Sequence, residues 1–245
     1  MQTQAVIGHI TGWLKDYALN ARAKGFVVGV SGGIDSAVVS ALAARTGLSV
    51  LLLDMPIRQK ADQSDRAQEH IRNLTRLFPN VSGQTVDLTP TFDTFAATVE
   101  ARGSEFPDKQ LALANARSRL RMVTLYYYGQ LHGCLVTGTG NKIEDFGVGF
   151  FTKYGDGGVD ISPIADLTKT QVYQLAAELG IAESIQKAVP TDGLWDTERT
   201  DEEQMGASYP ELEWAMSVYG TAKPEDFEGR RREVLEIYTD RKSVV

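Results

Sequence analysis

The sequence predicts an α/β protein with a doubly wound, mostly parallel sheet flanked by helices. Short apolar runs rich in β-branched residues alternate along the chain with longer segments of helical periodicity, a pattern typical of parallel strands joined by helical crossovers. The second of these segments, 49–56, is apolar along its length, as expected for a strand covered on both faces. With 245 residues, 42% of them hydrophobic and 23% charged, the chain is expected to form a single domain, residues 1–245.

The elements are predicted in order along the chain. Apolar residues at helical spacing from Val6 to Tyr17 predict an opening helix. Strands follow at 26–30, 49–56, 84–88 and 134–140, and helices at 37–45, 61–78, 111–131, 167–180, 211–220 and 224–241. Gly47 and Gly180 each end a helix.

Three stretches break this pattern. Residues 141–163 are rich in glycine and polar side chains and are too long for an idle loop. Thr94–Lys109 and Asp192–Ser208 are polar and irregular, and we expect both to be mobile until a ligand orders them.

Composition excludes several classes of protein. The net charge of −7 and the pI of about 5.1 argue against a nucleic-acid binder, whose surface is usually basic. No apolar run approaches the roughly 20 residues needed to span a bilayer, and the first residues lack the pattern of a signal peptide. Cys134 is the only cysteine, so there is no internal disulfide, and a reducing compartment fits. The sequence therefore predicts a soluble, cytoplasmic protein without a membrane partner.

The turn after the first predicted strand allows two chemistries. Gly29–Gly33 fits G-x-S-x-G, the nucleophile elbow of α/β hydrolases, with Ser31 as the nucleophile. That fold needs an acid and then a histidine after the serine, but no histidine follows His132. Hydrolase elbows also follow several strands, whereas this turn follows the first, so an esterase is disfavoured.

The alternative is a cradle for nucleotide phosphates. A Walker loop is absent, because the places of its last three residues, counted from Gly29, hold Ile34, Asp35 and Ser36. Glycines allow close backbone approach to phosphates, and the start of the following helix supplies N–H groups and a positive dipole. Ser31 and Ser36 add hydroxyl donors. A carboxylate at Asp35 makes sense beside phosphates if it holds Mg²⁺ between them.

The residues Ser31–Ser36 resemble the Ser-Gly-Gly-x-Asp-Ser loop of the ATP pyrophosphatases, which split ATP into AMP and pyrophosphate. Three later motifs resemble the ammonia-dependent NAD synthetases within that class: "NARSRLRM" at Asn115–Met122, "GTGNKIED" at Gly138–Asp145 and "FFTKYGDGG" within Phe150–Gly180. The resemblance implies an adenine-nucleotide α-hydrolase-like fold and a homodimer. It also implies a ligase that adenylates the nicotinate carboxylate of deamido-NAD with ATP and lets ammonia displace AMP.

The resemblance implies a role for each residue at a matching position. Asp35 and Glu144 are expected to bind Mg²⁺, and Asp35, Lys169 and Asp160 to take part in catalysis. ATP is expected to contact Gly29, Val30, Ser31, Gly32, Gly33, Ile34, Asp35, Ser36, Thr139, Lys169 and Thr191. Deamido-NAD is expected to contact Arg119, Lys153, Asp160, Arg241 and Lys242.

Two features qualify these assignments. Family members commonly have a His-Lys pair near the C-terminus, where this chain has Arg241 and Lys242 as candidate substitutes. Arg117, Arg119 and Arg121 stand at spacing two, so they cannot share one helical face, and at least one is expected to be solvated surface.

Two other functions remain as alternatives. The first is another ATP pyrophosphatase, such as a tRNA-thiolating enzyme, which should carry catalytic cysteines and a basic surface. The second is a non-catalytic nucleotide-binding module, which would keep the glycine loop without needing Mg²⁺ carboxylates. One cysteine and an excess of acidic residues favour the amidating ligase.

Overall fold

Four parallel strands form one sheet in the computed structural model, which describes residues 1–59, 61–100, 108–195 and 199–243. The strands are β1 Gly25–Gly29, β2 Ser49–Asp54, β3 Val81–Thr85 and β4 Leu135–Thr137, in the order β3-β2-β1-β4. The register places Gly25 beside Ser49 and Phe26 beside Leu135. From β1, the chain adds β2 and β3 on one side of the sheet and then places β4 on the other side of β1. The strand order therefore reverses between β1 and β4, and a crevice for ligands is expected at their carboxyl ends.

Helices fill the connections. They are α1 Thr3–Asn20, α2 Ile34–Ala44, α3 Ala61–Leu77, α4 Thr89–Glu100, α5 Lys109–His132, α6 Lys169–Glu178, α7 Glu183–Gln186, α8 Asp201–Met205, α9 Tyr209–Val218 and α10 Gly229–Lys242. A π-helix at Lys142–Val148 and a 3₁₀ turn at Pro224–Asp226 complete the elements. Within the described ranges, no helix is long and apolar enough to cross a membrane.

Both faces of the sheet are covered, as predicted. Successive strand residues point to opposite faces, and Val28 accordingly packs with α1, α2 and α6 while Val27 packs beneath α4 and α5. Both valines are fully buried. The doubly wound arrangement is therefore confirmed.

A third hydrophobic cluster joins the last helices to the π-helix. Ile143 of the π-helix packs with Met205, Leu212 and Tyr238 from α8, α9 and α10. Because the π-helix comes shortly after β4, this cluster holds the C-terminal helices against the segment that follows the carboxyl end of the sheet.

The predicted bounds differ from the structure in several places, most clearly in three. The third strand is Val81–Thr85 rather than 84–88, because the backbone of Val81–Thr85 pairs with β2. Leu88 lies beyond this pairing and packs into the core below α4. Part of the supposedly irregular stretch Thr94–Lys109 is helix α4, while residues 101–107 lie outside the described ones. The last predicted helix begins only at Gly229.

Candidate active site

The glycine loop between β1 and α2 is closed by its own serines. The Ser31 backbone N–H donates to Ser36 Oγ at 3.2 Å, and the Gly33 N–H donates to Ser31 Oγ at 3.2 Å. Gly32 has a φ of +81°, and a Cβ there would lie 2.4 Å from the Gln63 carbonyl oxygen. Glycine is therefore required at this position. The hydroxyl of Ser31 shapes the loop, and the hydrolase interpretation finds no support.

One buried lysine bridges two carboxylates beside this loop. Lys169 Nζ lies 2.6 Å from Asp35 Oδ2 and 3.0 Å from Glu144 Oε1, and its side chain is only 3% exposed. Asp35 is in the first turn of α2, Glu144 is in the π-helix and Lys169 is the first residue of α6. Residues far apart in sequence thus converge on one point.

Local backbone structure holds these three side chains in place. The buried Asn141 amide donates to Asp35 Oδ1 at 3.2 Å, and its oxygen accepts from the N–H groups of Ile143 and Glu144. Thr168 caps α6 through a capping box with Gln171, which fixes where that helix begins. Asn141 therefore ties the start of the π-helix to the start of α2.

The lysine and the carboxylates shift each other's ionisation. Burial lowers the pKa of Lys169, but the two nearby carboxylates outweigh it and raise that pKa above its ordinary value. Burial raises the pKa of Asp35 despite the attraction of Lys169. Burial also raises the pKa of Glu144, but Lys169 and the Tyr209 hydroxyl outweigh it and bring that pKa below its ordinary value. The lysine is thus a fixed cation within an acidic site.

A tyrosine from the C-terminal helices completes the cluster. Tyr209 Oη lies 2.6 Å from Glu144 Oε1 and 3.3 Å from Asp201 Oδ2. Lys169 Nζ lies 4.7 Å from the centroid of the Tyr209 ring. Asp201 is buried, and its Oδ1 has no hydrogen-bond partner within the described part of the chain.

One cavity joins the glycine loop to this cluster. It is lined by every residue predicted to contact ATP and by Glu144. Those residues are Gly29, Val30, Ser31, Gly32, Gly33, Ile34, Asp35, Ser36, Thr139, Lys169 and Thr191. The cavity lies at the carboxyl ends of β1 and β4, where the strand order predicts a ligand crevice.

Comparisons with known proteins identify the family. The family model described as NAD synthase matches residues 6–238. The chain belongs to the NAD synthase family. An NH(3)-dependent NAD(+) synthetase of Carboxydothermus hydrogenoformans is 37% identical over 220 residues, which cover 89% of this chain and 87% of the relative. Membership makes the chain a ligase rather than a binding module.

Solved structures of the family share the fold. An NMN synthetase from Francisella tularensis superposes with a TM-score of 0.85 at 32% identity, covering 100% of this chain and 94% of that chain. An NAD+ synthetase from Burkholderia pseudomallei superposes with a TM-score of 0.75 at 26% identity, covering 98% and 88% respectively. The predicted α-hydrolase-like fold is therefore confirmed.

The residues that the family resemblance assigned to deamido-NAD lie outside the cavity lining. Arg119 Nε donates to the Lys153 carbonyl at 3.1 Å on the exposed side of α5. Asp160 accepts from the Tyr126 hydroxyl and from the Val136 backbone N–H, each at 2.9 Å. Asp160 thus links β4 to α5, and its role in ammonia or substrate binding stays a prediction.

The C-terminal pair is engaged within the fold. Arg241 donates to the Gln204 carbonyl, and Lys242 Nζ donates to the Phe146 carbonyl. Both side chains therefore brace α10 against neighbouring segments, and their expected contact with deamido-NAD remains untested.

The three arginines of α5 point in different directions, as their spacing predicted. Arg119 is exposed, while Arg117 is buried over the Phe92 ring and donates to the Leu194 carbonyl. Arg121 donates to the Met55 carbonyl at 3.0 Å and lines the cavity. The resemblance named Arg119 alone, so sequence reasoning missed Arg121 as a cavity residue.

Five further acidic residues line the cavity and were also missed: Asp54, Asp145, Asp156, Asp192 and Asp201. Burial, with nearby carboxylates adding to it, raises the pKa of Asp145 to about 8 and that of Asp201 to about 7. Asp54 could have been found, because it is a single acid at the end of an apolar strand. Asp201 and Tyr209 gave no comparable signal.

Hydrogen bonds connect the beginning of the segment from Thr191 to Gln204 with its end. Thr191 Oγ1 donates to the Arg199 carbonyl at 3.0 Å, and Trp195 Nε1 donates to Gln204 Oε1 at 2.8 Å. Residues 196–198 of the proposed mobile stretch Asp192–Ser208 lie outside the described residues, and its mobility stays a prediction.

Proposed function

We propose that this chain is an ammonia-dependent NAD synthetase, which converts deamido-NAD, ATP and ammonia into NAD, AMP and pyrophosphate. The observation that carries this proposal is the convergence of Asp35, Glu144 and Lys169 beside a closed glycine loop, in one cavity, in a chain of the NAD synthase family. The Carboxydothermus hydrogenoformans relative, an NH(3)-dependent NAD(+) synthetase, supports ammonia as the nitrogen source.

The chemistry explains why these groups are needed. A carboxylate is a poor electrophile, so the nicotinate carboxylate must first become a mixed anhydride with AMP. The carboxylate oxygen attacks the α-phosphorus, the bond to pyrophosphate breaks, and ammonia then displaces AMP from the acyl carbon. The backbone N–H groups of the loop and the Lys169 cation stabilise the charge on the phosphates. The anhydride must be shielded from water until ammonia attacks it.

The cluster fits a bound Mg²⁺. Both carboxylates already contact a single cation, Lys169 Nζ, so they converge closely enough to share another. Hard oxygen donors are what Mg²⁺ prefers, and it usually takes only one or two carboxylates beside phosphates and water. Asp35 and Glu144 would hold the ion, which would neutralise the departing pyrophosphate.

A homodimer is supported by the outer face of α5. This helix packs apolar residues into the core on one side, yet Val123, Tyr127 and Leu131 are 58%, 63% and 63% exposed on another. An exposed apolar patch commonly marks an interaction surface, and a second copy of the chain would cover this face. Arg119 and Lys153 lie at the same face, so the partner would help to enclose deamido-NAD.

Amidation of nicotinate mononucleotide is a second candidate. The chemistry at the carboxylate is the same, and the structure of the Francisella tularensis enzyme, an NMN synthetase, superposes more closely than the Burkholderia pseudomallei NAD+ synthetase. The engagement of Arg241 and Lys242 within the fold also leaves fewer groups for a second nucleotide.

One assay tests both candidates. The purified chain is incubated with ATP, Mg²⁺, ammonium and either deamido-NAD or nicotinate mononucleotide, and NAD, NMN, AMP and ADP are quantified. We expect AMP and pyrophosphate in proportion to NAD, with the mononucleotide a poorer acceptor. Faster NMN formation would favour the second candidate, and ADP with orthophosphate as products would contradict both.

The domain count and the cellular compartment complete the proposal. We infer one domain over residues 1–245, supported by the cluster that joins α8–α10 to the π-helix. The proposed compartment is the cytoplasm, which suits a chain whose cysteine, Cys134, is free.

A further inference from the structure

We propose that Tyr209 is a positioning residue for Glu144, holding this carboxylate in the orientation that binds the metal ion; the inference rests on the proposed function. Tyr209 is the first residue of α9, far from Glu144 in sequence. Its hydroxyl nevertheless lies 2.6 Å from Glu144 Oε1, the same oxygen that Lys169 contacts at 3.0 Å. Two donors thus fix one oxygen of the carboxylate.

The Tyr209 hydroxyl donates its proton to Glu144 rather than to Asp201. A phenol has a single proton to donate, and two carboxylates face Tyr209 Oη. The 2.6 Å contact has the length of a charge-assisted O–H···O⁻ bond, whereas the contact with Asp201 Oδ2 is 3.3 Å. Glu144 is therefore the acceptor that the tyrosine orients.

The tyrosine is itself held from two sides. Tyr209 is 5% exposed within the cluster that contains Met205, Leu212 and Tyr238, and its backbone N–H donates to Glu202 Oε1 at 3.0 Å. A donor fixed this firmly restricts the carboxylate that it contacts. Groups that orient a metal ligand typically change metal affinity 10- to 100-fold when removed.

Replacing tyrosine by phenylalanine separates this role from packing. Tyr209→Phe keeps the ring that packs in the cluster and faces Lys169, and it removes only the hydroxyl. Tyr238→Phe is the matched control, because Tyr238 is 2% exposed in the same cluster and its ring packs against Tyr219. Circular dichroism and urea unfolding of both variants report any loss of fold.

The decisive measurement is Mn²⁺ affinity in the presence of α,β-methylene-ATP, read from the electron paramagnetic resonance of free Mn²⁺. We expect Tyr209→Phe to weaken Mn²⁺ binding about tenfold and to raise the Mg²⁺ concentration for half-maximal turnover equally. At saturating Mg²⁺, kcat should stay within about threefold of wild type, since the ligands themselves remain. Affinity for the nucleotide analogue in EDTA should not change, and Tyr238→Phe should match wild type in every readout.

Each outcome is informative. Folded Tyr209→Phe with wild-type Mn²⁺ affinity and Mg²⁺ dependence would overturn the inference and leave the proposed function intact. A loss of stability in both phenylalanine variants without a shift in metal affinity would also overturn it, because the hydroxyl would then serve packing alone. Wild-type chain that binds the nucleotide analogue but no Mn²⁺ would instead contradict the proposed function.

Discussion

Two regions of the molecule carry the predicted site residues, and they differ in how completely one chain encloses them. In the cavity at the carboxyl ends of β1 and β4, the Lys169 side chain is 3% exposed and every predicted ATP contact lines one space. On the outer side of α5, Arg119 and Lys153 meet through one hydrogen bond, and nearby Tyr154 is 66% exposed.

Under the proposed function, this difference indicates which half of the site depends on a second copy of the chain. The glycine loop and the start of α2 are formed by consecutive residues, and Glu144, Lys169 and Thr191 of the same chain complete the phosphate side. The outer face is apolar and open, and it becomes an enclosed site only if another surface covers it. Substitutions in the two regions should therefore change different properties of the enzyme.

The largest effect is expected at the two carboxylates proposed to bind Mg²⁺. Asp35→Asn and Glu144→Gln each remove a charge that faces Lys169 and the metal, and the lost stabilisation of several kcal/mol corresponds to roughly a hundredfold or more in turnover. Steady-state kinetics at varied Mg²⁺ measure the loss, with Glu183→Gln on exposed α7 as the control. Near-normal turnover and Mg²⁺ dependence in a folded variant would show that the residue is not a ligand.

The next effect should come from the open face. Val123→Glu and Tyr127→Glu place charges in the proposed dimer contact, and we expect monomers that bind ATP within about twofold of wild type but form NAD at least ten times more slowly. Light scattering and calorimetry measure the two properties, and Leu77→Glu, an equally exposed apolar site on α3, is the control. A monomeric variant with normal NAD formation would separate the outer face from the active site.

A smaller, local loss is expected at Lys153. Lys153→Ala should cost about 2–4 kcal/mol of transition-state stabilisation with deamido-NAD while leaving ATP affinity unchanged; exposed Lys187→Ala is the control. Asp160→Ala should show the same loss of deamido-NAD use, but its unfolding must be measured as well, because Asp160 also holds the Val136 N–H. Collapse of ATP affinity with normal deamido-NAD binding would reverse the assignment.

The smallest effect concerns the support beneath the glycine loop. His70 of α3 is buried with its Nε2 2.8 Å from Ser40 Oγ of α2, and burial lowers its pKa from 6.5 to about 4. Between these values the unfolded chain binds a proton that the folded chain does not, so stability falls as pH drops from about 6.5 towards 4. The loss at pH 5 should be about 2 kcal/mol relative to pH 7.5. Urea unfolding should show that His70→Gln reduces this dependence and that His9→Gln, on the exposed side of α1, retains it.

The sequence predicted correctly those features that depend on residues consecutive in the chain. The strands around the glycine loop were found from their apolar runs, and the loop from six consecutive residues. Helix α4 was missed because its threonines and phenylalanines are weak helix formers, and packing of Phe92 against the sheet decides its structure.

Contacts made across the chain could not be predicted. Tyr209 reaches Glu144 only because α9 packs on the π-helix, and nothing in "GASYPE" indicates that contact. Likewise, residue spacing showed that the three arginines must diverge, but only the packing of α5 determined that Arg121 would face the cavity.

The π-helix at Lys142–Val148 makes the geometry of the site depend on chain length. A π-turn holds more residues than an α-turn, and such turns are frequent at functional sites. Removing one residue from Phe146–Val148 would let the backbone return to α-helical winding, which holds fewer residues in each turn. The chain beyond the deletion would then keep its orientation relative to Glu144, while the residues inside the turn would change the neighbours that they face. Single-residue deletions therefore test whether the site needs the π-turn itself, which substitutions cannot do.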